Sequence, residues 1–272
     1  MIIDFHIHIG LREHWHPWVN EHFKETNPEL YKNFDKIMNP AGLEQYLRVQ
    51  GVDYGVILAE NSPITTGVVS NEYVSDFCEG RKMFIPFASI DPKTEKEPGK
   101  KLKKLVDEQG FRGLKLYPTY QQYHPNDDIV YSLYEGAQRL GIPVMVHTGS
   151  SIFKGSRLKF GNPLHLDDVA VDFPNLVIIM AHSGRGLWYA EAFFLSKIHN
   201  NIYMEVSGLP PKNLMKYFPD LNENSDKVIF GSDWPGIRSI KENIEKIRAL
   251  PLEDSTKDKI LGLNAARLLG LK

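Results

Sequence analysis

Apolar and polar positions alternate along this chain in two rhythms. Short apolar runs recur at YGVILAE (54–60), MFIPFASI (83–90), FRGLKLYP (111–118), IPVMVHTG (142–149), NLVIIMAHSG (175–184), NIYMEVSG (201–208) and KVIFGSDWP (227–235). Most end in a polar or glycine-marked step, and runs of this kind predict strands buried on both faces. Between them lie stretches of helical period, including GKKLKKLVDEQG, DDIVYSLYEGAQRLG, HLDDVAVDF and GLWYAEAFFLSKIHN. NPAGLEQYLRVQG predicts a further helix, with Asn39 as N-cap, Pro40 at the first helical position and Gly51 just past the end.

With the opening segment IIDFHIHIG the strands number eight, and strands alternating with helices imply parallel βαβ units. Eight such units close into a single (β/α)8 TIM barrel, here spanning residues 1–272 as one domain. LREHWHPWVNEHFKETNPEL has no clean period and reads as an elaborated first loop, while DSTKDKILGLNAARLLG reads as closing helices. The length suits this picture, since such barrels run about 200 to 250 residues before insertions.

Charge and cysteine content narrow the function classes. The 32 basic and 34 acidic residues nearly cancel, which leaves no electrostatic footprint for nucleic acid or an anionic membrane. The run Lys100–Lys104 has helical spacing with Leu102 inside it and reads as a solvated face. A lone cysteine, Cys78, excludes an intramolecular disulfide framework; it shares a helical face with Val74 and Phe77 and is expected in the core. No apolar stretch has the length of a membrane span and no signal peptide is evident, so a cytoplasmic location is expected. The expected partner is a small-molecule substrate, with a homodimer as the candidate assembly.

The opening segment carries the first chemical signal. Strand side chains alternate, which puts Asp4, His6 and His8 on one face and Ile3, Phe5, Ile7 and Ile9 on the other. A barrel's active site lies at the carboxyl ends of its strands. There the sequence places His6 and His8, Lys115 on the fourth strand, His147 on the fifth, His182 on the sixth and Asp233 on the eighth. Several imidazoles and a carboxylate converging on one mouth fit a divalent cation, and nitrogen and oxygen donors suit zinc. There is no GxSxG, no GxxxxGK[ST] and no GxGxxG, so acyl-serine, P-loop and dinucleotide chemistry lack support.

With DFHIHIG, GFRGLKLYP, VMVHTG, AHSG, GSDWP and ILGLNAARLLG, essentially the whole chain resembles the amidohydrolase superfamily. It is similar to the amidohydrolase-related branch that also contains aminocarboxymuconate-semialdehyde-type decarboxylases. The resemblance implies that His6, His8, His147 and Asp233 hold a metal and that His182 acts as an acid, a base or a further ligand. Lys115 lies on the strand that in binuclear relatives carries a carboxylated lysine bridging two metals; unmodified, it is a substrate-facing cation or a partner of a carboxylate. One zinc ion is therefore expected, with a second if Lys115 is carboxylated.

The leading expectation is hydrolysis of a C–N or C–O bond in an amide, cyclic amide, lactone or ester. Metal-activated water would attack, and Asp233 and His182 would move protons. Non-oxidative decarboxylation of an unsaturated or aromatic acid is the alternative, and a non-catalytic ligand-binding barrel the third reading. Glu60, Tyr117, Arg185, Trp188, Trp15 and Trp234 are candidate substrate contacts. His14, His16 and Trp18 crowd the first loop beside Trp15, where they cap a substrate pocket, face solvent or form a dimer contact. His22, His124, His165 and His199 are read as surface residues.

Overall fold

A computed structural model describes residues 1–271. Eight parallel strands follow one another in chain order: β1 (Ile3–His8), β2 (Tyr54–Leu58), β3 (Phe84–Ser89), β4 (Leu114–Leu116), β5 (Val144–Gly149), β6 (Ile178–Arg185), β7 (Ile202–Glu205) and β8 (Val228–Ile229). The sheet closes on itself through hydrogen bonds beyond the regular ladder. Phe5 N donates to Phe230 O (3.0 Å), Asp233 N to His6 O (3.0 Å) and His8 N to Trp234 O (2.8 Å). Asp4 sits inside this seam, its Oδ1 accepting from Ser232 N at 2.8 Å and from His6 N at 3.1 Å. The (β/α)8 expectation is met.

Two apolar layers build the barrel. Ile3, Phe5, Val56, Leu58, Ile85, Phe87, Met145, Ile179, Ala181 and Ile229 fill the interior, with Ala265, Ala266 and Leu269 packed against them. Outside, Leu114, Val144, Val146, Ile178 and Met180 meet helix residues such as Leu43, Leu47, Leu102, Leu133 and Leu166. The strict alternation expected of β1 is not kept. Ile3 and Phe5 belong to the inner layer, whereas Ile7 and Ile9 belong to the outer one. The cause is a register shift between Asp4 and Ile7, a bulge of the kind that re-aims side chains next to active sites.

Helix Pro40–Val49 starts as expected, with Asn39 Oδ1 accepting from Gly42 N at 3.0 Å. The first loop is more regular than its sequence suggested. It forms a short turn at Arg12–His14 and helices at Pro17–Thr26, Pro28–Lys32 and Phe34–Ile37. Successive prolines and asparagines break this segment into pieces too short to show a period, yet each begins with Pro at its first turn or an Asn cap. An antiparallel hairpin, Glu60–Ser62 with Gly67–Val69, follows β2 and also escaped the sequence reading. Helix Pro98–Gln109 buries Leu102 and turns its lysines outward, and Cys78 is buried, with burial pushing its thiol up to about 12. The chain closes with helices Asp254–Asp258 and Asn264–Leu269 joined by a π-helical turn, and none of the described helices is long and apolar enough to cross a membrane.

Candidate active site

At the carboxyl end of β1, His6 Nε2 and His8 Nε2 lie 3.2 Å apart, and each is 3.5 Å from Asp233 Oδ1. Donor atoms about 2.0–2.1 Å from a tetrahedral ion stand about 3.4 Å from one another, so this spacing fits a divalent metal. Protonation fits as well. The carboxylate of Glu205, whose Oε2 is 3.1 Å from His6 Nδ1, draws the ring proton to Nδ1 and leaves Nε2 its lone pair. Burial, with the nearby Lys115 charge, holds His6 well below the ordinary histidine range, in the neutral form a ligand needs.

A second layer fixes these rings. Ser207 Oγ donates to Glu205 Oε2 (2.8 Å) and lies 2.9 Å from Nδ1 of both His6 and His182, while Ser207 N donates to Glu205 Oε1 at 2.6 Å. His182 Nδ1 donates to Ser207 O at 3.1 Å, which leaves its Nε2 as an acceptor. On the other side, Glu60 Oε2 is 3.5 Å from His8 Nδ1, and Thr66 Oγ1 hydrogen-bonds the Glu60 carboxylate. Burial pushes Glu205 up to about 7 against the opposing Ser207 hydrogen bonds, and it raises Glu60 too.

Backbone strain collects at the same place. His182 (φ 66), Ser183 (φ 45) and Asp233 (φ 66) adopt left-handed conformations uncommon for residues with a Cβ, and such strain clusters at functional sites. Burial opposes ionisation of Asp233, but His182, His8, His6 and Arg185 outweigh it and hold the carboxyl well below its usual range. Arg185 Nη1 is 3.4 Å from Asp233 Oδ2, and its Nη2 donates to Ser150 O at 3.1 Å.

His147 stands apart from the tight triad. Its ring is 4.7 Å from that of His182 and 4.9 Å from that of Tyr120, and its buried Nε2 has no hydrogen-bond partner. Lys115 is fully buried, 5.2 Å from the Tyr117 ring centre, and among the described residues its Nζ has no hydrogen-bond partner and no carboxylate within ion-pair distance. Burial lowers it to about 8, against the pull of Glu205, Asp233 and Glu60.

A cavity of about 700 Å³ opens over the triad. His6, His8, Trp15, Phe23, Glu60, Tyr117, Tyr120, His147, Phe153, His182, Arg185 and Asp233 line it. Lys115 does not reach its surface. Nor do two other expected substrate contacts: Trp234 is buried behind the seam with Nε1 donating to the Tyr46 hydroxyl, and Trp188 caps helix Tyr189–Ile198. Of His14, Trp15, His16 and Trp18, Trp15 alone lines the cavity. His16 stacks on Trp18, and the pair bonds Pro63 O and Thr65 O of the hairpin turn, while His14 packs on Tyr73. His22 was expected on the surface but lines the cavity beside Phe153. His124 and His165 pack with their rings tilted against each other and His199 pairs with Asp167, so these three are part-buried rather than free in solvent.

Sequence reasoning missed Glu205, Ser207 and Tyr120. The signal for Glu205 was available: an acidic residue in the apolar run NIYMEVSG, on the inward parity of its strand.

An uncharacterized TIM-barrel protein from Bordetella bronchiseptica is 26% identical, with a TM-score of 0.81 over 99% of this chain and 98% of that one. The fold is also that of a 2,6-dihydroxybenzoate decarboxylase solved with 2,6-dihydroxybenzoate (15% identity, TM-score 0.75, 99% of both chains). It is shared by a dihydroxybenzoic acid decarboxylase from a Polaromonas species with bound manganese and 2-nitroresorcinol (14% identity, TM-score 0.75, 99% of this chain and 96% of that one). The model of the amidohydrolase family matches residues 3–271, and with its barrel and strand-end histidines the chain belongs to that family.

Proposed function

We propose that this amidohydrolase-family enzyme is a metal-dependent decarboxylase that removes CO2, without oxidation, from a small aromatic or unsaturated carboxylic acid. The observation that carries this reading is the Arg185 guanidinium beside Asp233 at the triad, on one wall of a cavity whose neighbouring walls are Trp15, Phe23, Tyr117, Tyr120 and Phe153. A cation next to flat aromatic surfaces receives a planar acid better than it receives a neutral amide or lactone. The fold likeness to two decarboxylases of hydroxylated benzoic acids supports the same choice over hydrolysis.

His6, His8 and Asp233, with His147 as the further candidate ligand, would hold a divalent ion, which would supply a Lewis acid for substrate oxygens. Zinc and manganese both suit these donors. The rest follows from the chain's own groups. Arg185 pairs with the carboxylate and holds it at the aromatic wall. Asp233, ionised at rest, takes a proton from the substrate hydroxyl and returns it to the carbon that carries the carboxylate. The new C–H bond is made from π electrons that the deprotonated oxygen feeds in; the C–C bond then breaks, its electron pair returns to the π system, and CO2 leaves. The neutral Nε2 of His182 accepts a hydrogen bond from substrate, oriented by Ser207.

Hydrolysis is the second reading, since the same ionised Asp233 would take a proton from an attacking water. Protein loaded with manganese or with zinc is to be incubated with hydroxylated benzoic acids, and in parallel with lactones, esters and cyclic amides. Release of CO2 matched to loss of the acid is expected. Hydrolysis with no CO2 release from any acid overturns the proposal.

A further inference from the structure

The cavity does not end at the aromatic chamber. It runs outward past Gly208, Leu209, Pro210 and Pro211 to Lys212 on one side, and past Ile237 to Arg238, Ser239 and Lys246 on the other. Among the charged side chains on this outer part, Lys212, Arg238 and Lys246 are cationic and only Glu242 is anionic. Glu242 is already paired with Lys246 at 3.3 Å, whereas Lys212 and Arg238 have no ion-pair partner among the described residues.

Their carriers are fixed. Pro210 and Pro211 restrict the backbone that leads into Lys212. The backbone at Arg238 is pinned by the buried side chain of Asn27, whose Nδ2 donates to Ile237 O at 2.8 Å and Arg238 O at 3.2 Å. The cavity volume, about 700 Å³, lies in the upper part of the roughly 300–1,000 Å³ range that encloses drug-sized ligands, more than one small ring fills.

Resting on the acid-substrate reading above, we infer that the substrate carries a second anionic group, a carboxylate or a phosphate, at the end remote from the carboxylate that is lost. Lys212 and Arg238 receive that group, and Lys246 adds to the field around it. Arg185 and the triad then hold one end of the molecule and the rim cations the other, so the reacting carbon is placed by two charges rather than by ring packing alone.

The test is calorimetric binding to metal-loaded protein, which does not depend on turnover. The probes are salicylate and salicylates carrying, para to the hydroxyl, a carboxyethyl arm, a phosphonoethyl arm or a neutral carbamoylethyl arm. An anionic arm is expected to tighten binding by about tenfold or more over the neutral arm, with the gain fading at high salt. That gain should be lost in the double variant Lys212→Ala/Arg238→Ala and reversed in Lys212→Glu/Arg238→Glu; both positions are exposed, so the fold is not at stake. Whichever anionic arm gains more identifies the group. Equal binding of the anionic and neutral arms, with salicylate itself bound, overturns the second-anion inference and leaves the decarboxylase reading standing. No binding of any probe overturns both.

Discussion

The floor and the rim of the cavity are built on opposite terms. On the floor, His6 and His182 are 1–2% exposed, sit at strand ends, and are tied to Glu205 and Ser207 by short hydrogen bonds. At the rim, Lys212 and Arg238 are exposed on a short turn and a loop, with no ion-pair partner among the described residues. The difference separates two tasks. Buried, mutually oriented groups fix where a proton and a metal stand, and one lost partner disturbs all of them. Exposed cations act through field strength, so their effects are smaller, closer to additive and sensitive to salt.

The largest effect is expected at the floor. Asp233→Asn keeps the shape but removes the proposed proton carrier and metal donor, and turnover should fall by about 10²–10⁴-fold. Near-normal kcat with normal metal content would move the proton role elsewhere. Next comes Glu205→Gln, which leaves His6 in place but weakens its hold on the Nδ1 proton. Metal affinity, read by competition with a coloured chelator, should drop by about 10–100-fold. An unchanged affinity would separate the outer carboxylate from the metal site altogether. The smallest effect of the three lies where floor meets rim. Gly208 has φ 66, and a methyl group there would run into the Arg185 guanidinium. Gly208→Ala should therefore raise KM for an acid substrate by about tenfold, the worth of one displaced charged hydrogen bond, while metal content stays put. Loss of metal in that variant would show that the two regions are not separable.

Much of the floor could be read from residue types alone. His6, His8, His182 and Asp233 sit at strand ends, where a barrel gathers its chemistry, and the apolar runs announce those ends. What could not be read depended on geometry that pattern does not encode. The bulge between Asp4 and Ile7 changes which face each residue of β1 presents, although the apolar alternation continues unbroken through it. Trp188 and Trp234 follow strand ends in sequence, but the backbone turns at Gly184 and Asp233 direct them away from the cavity. Lys212 and Arg238 come to the cavity on a short turn and a loop with no period to follow, and His22 on helix Pro17–Thr26, whose sequence reads as a loop.

The seam that joins β1 to β8 has a consequence for how the molecule comes into being. Residues 4, 5, 6 and 8 find their partners at 230–234, so a chain leaving the ribosome carries two histidines of the triad long before the aspartate exists. Contacts so distant in sequence form late and slow folding, because a long loop must close before they repay it. Until then β1 lacks its β8 neighbour, and Asp4 lacks the Ser232 amide that it holds in the finished barrel. The triad thus forms only once residues 230–234 have docked on β1, so closing the barrel and assembling the site are one event.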